Sequence, residues 1–211
     1  MISCRLAKRR QRCAHMGLTG KVYLVGAGPG DAGLLTLRGA ELLRRADVVV
    51  YDSLVNRELL ALAPEAAEII FGGKRPRDRA IPQEELNQLL AEKAKAGKTV
   101  VRLKGGDPYI FGRGGEEAAR LHRDGVPFEV VPGISSIIAA PSYAGIPLTH
   151  REHCSSFTVI TGHEDPDKDE SALDWKRVAR EPGTKVLLMG VERIGKIAAA
   201  LEANGLPSDT P

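Results

Sequence analysis

Chemically capable residues recur in this chain where short apolar runs end. Pro29 lies in a glycine-rich turn after VYLVG, Asp52 follows DVVVY, and Lys74 follows EIIFGG. A second glycine turn at 105–107 follows TVVRLK, and two serines at 135–136 follow FEVVPGI. Backbone amides, a carboxylate and an ammonium group in one place could bind a small ligand and transfer a proton. The pattern therefore predicts an enzyme site.

The runs that carry these residues alternate with helical patterns. Strand-like runs occur at 22–26, 47–52, 68–73, 99–103 and 128–133. Pro82 and Gly97 flank one helical run, as is typical of helix ends. Strands separated by helices predict parallel βαβ units, whose strands end at one carboxyl edge. Because ligands of open parallel sheets bind along that edge, the candidate residues are expected to share one cleft.

The alternation starts again in the last third of the chain. SSFTVITGH and TKVLLMG are strand-like, while DWKRVAR and IGKIAAALEANG are helical. The predicted fold class is therefore α/β with two α/β domains. The predicted domains are a disordered basic extension at 1–19, an N-terminal domain at 20–148 with a five-stranded, mostly parallel sheet, and a smaller, incomplete C-terminal domain at 149–211.

Composition excludes several classes of function. The 211 residues carry a formal net charge of +3, which is too small to indicate nucleic-acid binding. Since no run approaches the ~20 apolar residues of a membrane span, no membrane partner is expected. Cys4, Cys13 and Cys154 form an odd set without a C-x-x-C pair, so neither a disulfide framework nor a zinc site is predicted. A reducing cytoplasm fits this usage.

His150 and His153 are the remaining candidates for a metal site. They lie three residues apart but lack further ligand residues nearby. We therefore interpret them as structural residues and predict no metal. His163 ends a strand and is interpreted as a local hydrogen-bonding residue.

The first glycine loop, GAGPGD, permits two interpretations. Its Gly28-x-Gly30-x-x-Gly33 spacing fits the dinucleotide fingerprint, and Asp52 follows at close to the ~20 residues expected of a ribose-binding acid. A Rossmann-like nucleotide-binding module is therefore an alternative. Pro29 stiffens the turn and Asp31 adds a negative charge beside any phosphate, so a ligand without phosphate suits the loop better.

The second glycine segment, VRLKGGDPYIFGRGGEE, distinguishes these interpretations. Together with GAGPGD, YDSLV, GGKR, VVPGISS and AGIPLTHR, it resembles the tetrapyrrole methylases from Lys21 to about Gly190. Within that family, KGGDPYIFGRGGEE is most similar to members that act on uroporphyrinogen III. A methylase of a later corrin intermediate is the alternative within the family.

The resemblance implies a methyl-transfer activity. The methyl donor would be S-adenosyl-L-methionine (SAM), which becomes S-adenosyl-L-homocysteine (SAH). The acceptor would be a carboxylate-rich reduced tetrapyrrole, methylated at two ring carbons in turn to give precorrin-2 for sirohaem or cobalamin synthesis. The resemblance also implies a homodimer.

The resemblance assigns roles to individual residues. Asp52 would accept a proton, and Lys74 would donate one. For Lys74, an ordinary cation that anchors a substrate carboxylate is the alternative interpretation. Donor contacts are implied for Pro29, Gly105, Gly106, Asp107, Ile110, Ser135, Ser136 and Met189. Since guanidinium groups bind carboxylates in bidentate fashion, the candidates for holding substrate side chains are Arg75, Arg77, Arg113 and Arg151.

Overall fold

The structure is a computed structural model, and it describes residues 20–73, 81–163 and 173–211. The chain divides into two compact units, Met1–Ser135 and Ser136–Pro211. The predicted domain boundary at 148 lies inside the second unit. The domain organisation therefore stays a prediction.

The first unit contains a five-stranded sheet. Its strands are β1 (Lys21–Gly26), β2 (Val48–Tyr51), β3 (Glu68–Phe71), β4 (Thr99–Lys104) and β5 (Phe128–Val131). The strand order is β3-β2-β4-β1-β5, and every neighbouring pair is parallel. The predicted fold class is confirmed. All five strands therefore end at one carboxyl edge, with β2, β4 and β1 in the interior of the sheet.

Helices cover both faces of this sheet because its strands are apolar on both sides. They are α1 (Leu37–Arg44), α2 (Gln83–Lys95) and α3 (Gly114–Arg123). One apolar core packs α2 and α3 against the sheet through Leu86, Leu90 and Leu121. The other core packs α1 through Leu42 and Leu43.

Side-chain caps define where two helical segments of the first unit begin. Helix α1 begins at Leu37, because the Thr36 hydroxyl accepts a hydrogen bond from Gly39 N at 3.0 Å and caps the helix there. The run RELLALA forms a 3-10 helix, Arg57–Leu62. The Asn56 side chain caps this short segment.

The second unit begins with α4 (Ser136–Tyr143) and contains a parallel strand pair. The other elements are β6 (Phe157–Thr161), α5 (Trp175–Arg180), β7 (Thr184–Leu188) and α6 (Ile194–Ala203). A small core packs α5 and α6 against β6 through Ile160, Val178, Ala179, Ile197 and Leu201. Among the described residues, no helix is long and apolar enough to cross a bilayer.

Candidate functional site

The loops after β1, β4 and β5 are in direct contact through the backbone atoms of glycines. A Cβ atom on Gly133 would lie 2.2 Å from the Gly106 carbonyl oxygen, and one on Gly26 would lie 2.4 Å from Gly133 Cα. Gly106 N donates to Gly28 O at 2.7 Å, and Gly28 N donates to Gly106 O at 3.3 Å. Side chains at Gly26 or Gly133 would force these segments apart. We call the contact of Gly26, Gly28, Gly106 and Gly133 the glycine crossing.

Polar side chains fasten the loops around the glycine crossing. Asp107 accepts hydrogen bonds from Tyr109 N at 2.8 Å and from Gly133 N at 3.0 Å, so it joins the β4 loop to the β5 loop. Asn56 Nδ2 donates to Gly30 O at 2.9 Å, which joins the β2 loop to the β1 loop. Four strand ends are therefore held in fixed relation before any ligand arrives.

Asp52 lies at the end of β2 and faces the β4 loop. Its Oδ1 accepts from Leu54 N at 3.0 Å, and its Oδ2 accepts from Gly105 N at 3.4 Å. The Arg102 guanidinium lies 3.8 Å from Oδ2. Because the Asp52 side chain keeps 23% of its surface exposed, the carboxylate is oriented by the protein yet open to a ligand.

Two glycines of the loops leave open space beside the backbone. A Cβ on Gly30 would meet nothing within 4 Å, and one on Gly106 would meet only Ser135 Cα, at 3.9 Å. Both residues have positive φ, at 126° and 66°. A ligand could therefore approach the backbone closely at these two residues, as glycine allows.

A group of buried charges lies behind Asp52, in the core between the sheet and α3. Glu117 Oε1 accepts from Arg102 Nε at 3.1 Å, from Lys104 Nζ at 3.0 Å and from Gln83 Nε2 at 3.3 Å. The side-chain exposure of Arg102, Lys104 and Glu117 is 5%, 4% and 0%. Glu117 Oε2 has no partner among the described residues. We call Arg102, Lys104 and Glu117 the buried charge cluster.

Burial lowers the pKa of the Lys104 ammonium, and the neighbouring Arg102 cation lowers it further, whereas Glu117 and Asp52 oppose the shift. Two cations and one carboxylate leave the buried charge cluster with one excess positive charge. The Asp52 carboxylate, 3.8 Å from Arg102, supplies the balancing negative charge. The cluster and the candidate proton acceptor are therefore electrostatically linked.

The residues predicted to contact the methyl donor fall into two groups, one in each unit. In the first unit, Gly105, Gly106 and Asp107 form the β4 loop, and Ser135 is buried beside Gly106. Pro29 lies in the first glycine loop, GAGPGD, and Ile110 lies in the second glycine segment. Ile110 N donates to Asp107 O at 3.4 Å. The second unit contains Ser136, at the start of α4, and Met189, which follows β7 with φ 56° and 54% exposure.

The predicted substrate-binding arginines are placed unevenly. Arg113 Nε and one terminal nitrogen donate to the Glu116 carboxylate at 2.9 and 2.7 Å. That pairing lowers the pKa of Glu116, and a substrate carboxylate would have to compete with it. Arg151 is exposed in the second unit. Lys74, Arg75 and Arg77 lie outside the described residues.

The histidines His150 and His153 lie close together in the second unit. The His150 and His153 rings stack with centroids 4.6 Å apart, and their ligand atoms lie within 4.8 Å of each other and of Glu152. His150 Nδ1 already accepts a hydrogen bond from Glu152 N at 3.2 Å. The prediction that the two histidines lack a further ligand residue nearby is therefore wrong, because Glu152 lies beside both of them.

Sequence reasoning missed the buried charge cluster, Asn56 and the role of Gly133. A signal for the cluster was present, because Arg102 and Lys104 alternate with Val101 and Leu103 in a strand that is otherwise apolar. Alternate residues of a strand face the same side, so both cations had to enter one core. Such a pair requires a buried counter-charge, which Glu117 provides.

Sequence and structure comparisons relate this chain to known proteins. The sequence model of the family described as "Tetrapyrrole (Corrin/Porphyrin) Methylases" matches residues 21–211. A relative described as "S-adenosyl-L-methionine-dependent uroporphyrinogen III methyltransferase", from Methanosarcina barkeri, is 55% identical over 195 residues, covering 92% of this chain and 76% of the relative.

A longer relative and a solved structure also match. "Siroheme synthase 1" of Klebsiella pneumoniae is 52% identical over 193 residues, but the chain spans only 41% of that protein. The crystal structure of uroporphyrin-III C-methyl transferase from Thermus thermophilus, complexed with S-adenosyl homocysteine, is 47% identical with a TM-score of 0.72. That alignment covers 88% of this chain and 73% of the solved one.

Proposed function

Because this chain belongs to the tetrapyrrole methylase family, we propose that it transfers methyl groups from SAM to two ring carbons of uroporphyrinogen III, giving precorrin-2. The observation that carries the proposal is the glycine crossing with Asp52 beside it. Within the crossing, Gly106 leaves open space for the methyl donor, and Asp52 offers an oriented carboxylate within the same set of loops. The relatives described above support the same donor and acceptor.

The donor site is proposed to use Pro29, Gly105, Gly106, Asp107, Ile110, Ser135, Ser136 and Met189. When bound, SAM supplies a methyl group on a sulfonium, and that methyl moves to carbon in an in-line displacement that releases SAH. The glycines admit the donor against backbone amides. Asp107 uses both carboxylate oxygens to hold the loops, and each oxygen keeps a further lone pair that could accept from a donor N–H or O–H group.

The acceptor site is proposed to use Asp52 as the proton acceptor. Forming a carbon–methyl bond on a pyrrole ring leaves a positive charge, and loss of one proton to the Asp52 carboxylate neutralises it. The hydrogen bonds from Leu54 N and Gly105 N keep this carboxylate in one orientation. Lys74 is proposed as a proton donor or carboxylate anchor, and Arg75, Arg77, Arg113 and Arg151 as contacts to substrate carboxylates.

The direct test is methyl transfer itself. We expect the purified chain, incubated with methyl-labelled SAM and uroporphyrinogen III, to give products whose masses show one and then two added methyl groups. SAH should also raise the melting temperature by mass action, whereas NAD and NADP should not. Tight binding of NAD without binding of SAH would exclude the methylase assignment.

Asp52→Asn tests the assignment of the base. The variant should keep the affinity for SAH while the methyl-transfer rate falls by roughly 10²–10⁴-fold, the usual contribution of a positioned proton acceptor. Asp47→Asn offers a matched control, because Asp47 lies at the opposite end of β2 and accepts from Thr99 N. If Asp52→Asn instead abolished donor binding and left single-turnover transfer intact, Asp52 would be a donor ligand.

The product would serve sirohaem or cobalamin synthesis, and relatives described as siroheme synthases favour the first. We further propose a cytoplasmic homodimer that acts on this small molecule without a nucleic acid or membrane partner. Light scattering on the purified protein tests the dimer. A mass equal to one chain at assay concentration would contradict it.

A further inference from the structure

Glu117 connects the two parts of the proposed reaction site, although it reaches neither donor nor acceptor itself. It lies in the first turn of α3 and is fully buried. Its Oε1 is shared by Arg102 and Lys104, which lie on the same face of β4. One of these two cations lies next to the loop proposed to bind SAM, and the other lies next to the proposed proton acceptor.

Lys104 is adjacent to the β4 loop, which is proposed to bind SAM. It is the last residue of β4 and directly precedes Gly105 and Gly106. Its carbonyl oxygen accepts a hydrogen bond from Ala27 N at 2.7 Å, which joins it to the β1 loop as well. Holding the Lys104 ammonium against Glu117 therefore fixes the point from which the glycine crossing departs.

Arg102 lies beside Asp52, the proposed proton acceptor. Its Nε donates to Glu117, one terminal nitrogen donates to the carbonyls of Val50 and Leu103 at 3.4 and 3.3 Å, and the other lies 3.8 Å from Asp52 Oδ2. The guanidinium is planar and rigid, so fixing Nε also fixes the edge that faces Asp52.

We propose that Glu117 is a positioning residue that couples the donor loop to the proton acceptor, holding Lys104 beneath Gly105 and Arg102 against Asp52. The inference rests on the proposed function, since it assumes that the β4 loop binds SAM and that Asp52 accepts the proton. A carboxylate shared by two cations fixes both of them at once, and the loss of its charge releases both.

The test separates donor affinity from chemistry in three variants. Donor affinity is the dissociation constant of SAH by calorimetry, and chemistry is the single-turnover rate of methyl transfer at saturating SAM. Lys104→Met should weaken SAH binding roughly 10-fold and change the rate by less than about 3-fold. Arg102→Met should do the reverse, with a rate loss of roughly 10- to 100-fold, as expected when a reacting group is misplaced. Glu117→Gln should show both losses.

A matched control and a rescue variant complete the test. Glu85→Gln makes the same chemical change at an exposed position of α2 and should alter neither quantity. Because Glu117→Gln leaves two buried cations without their anion, it could fail to fold. The double variant Glu117→Gln/Lys104→Met removes the excess charge and keeps an amide oxygen for Arg102. It should fold, keep the weakened SAH affinity and recover most of the rate.

Two results would overturn the proposal. One is a folded Glu117→Gln with parental SAH affinity and rate. The other is a proportional fall of affinity and rate in every variant, including the double variant, which would indicate general loosening of the core. Failure of the parent chain to methylate uroporphyrinogen III would instead refute the proposed function, so the two failures are distinguishable.

Discussion

Gly133→Ala is the most direct test of the glycine crossing. The new methyl group would lie 2.2 Å from the Gly106 carbonyl oxygen and 2.6 Å from Gly26 Cα, and ordinary contact begins at 3.4 Å. Both neighbours are backbone, so the loops must separate. The two Gly28–Gly106 hydrogen bonds and the bond from Gly133 N to Asp107 would then stretch beyond hydrogen-bond range.

The magnitude follows from those three bonds. At about 0.5–1.5 kcal/mol each, their loss should lower the free energy of unfolding by about 2–4 kcal/mol. For a chain of this length, that loss corresponds to a melting temperature lower by about 5–15 °C. Since the glycine crossing also fixes Gly106, which is proposed to contact SAM, SAH affinity should fall together with stability.

Thermal denaturation and SAH calorimetry measure both effects. Gly115→Ala is the control, because a Cβ there meets nothing within 4 Å and the residue lies in α3. That change should stabilise the protein by up to about 1 kcal/mol, since alanine is the better helix former. A Gly133→Ala protein that melts within about 2 °C of the parent and binds SAH equally well would refute the close contact of the three loops.

Three further outcomes are expected. Gly106→Val should abolish SAH binding, because its side chain enters the open space beside Ser135, and the φ of 66° should cost about 1–2 kcal/mol of stability as well; a folded variant with unchanged SAH affinity would mean that the methyl donor does not touch this loop. Asp107→Asn places an amide N–H₂ against Tyr109 N or Gly133 N, so SAH affinity should fall roughly 10-fold, and parental affinity in calorimetry would contradict this. Burial lowers the pKa of Lys104, so the unfolded chain binds more protons at alkaline pH, and the free energy of unfolding should rise with pH up to about 10.5. Lys104→Met should flatten that rise, measured by urea denaturation at a series of pH values. If the variant and the parent showed the same dependence of stability on pH, Lys104 would not be a buried ammonium.

The sheet and its carboxyl edge could be predicted because the strands are apolar and end in glycine or a charge. Runs such as DVVVYD and TVVRLK are too apolar for surface segments and too short for helices, and helical runs separate them. Parallel pairing then follows, and the residues after each run must share one edge. This reasoning placed Asp52 and the turn at 105–107 at that edge, and their roles stay predictions.

The glycine crossing could not be predicted because it depends on strand order. Gly26, Gly106 and Gly133 touch only because β1 lies between β4 and β5 and the sheet brings their ends together. Nothing local in VVPGISS indicates which backbone Gly133 will meet. Likewise, Glu117 pairs with Arg102 and Lys104 because α3 crosses that face of the sheet, which the sequence of either element alone does not specify.

The strand order also has a consequence for how the protein is made. Lys21 of β1 pairs with Thr99, and Val22 pairs with Phe128. During synthesis, β1 therefore leaves the ribosome long before β4 and β5, the strands with which it pairs. Closing such long loops slows folding and leaves an apolar strand exposed to chaperones or to aggregation. The first glycine loop can acquire its shape only when Gly133, near the end of the same unit, has been added.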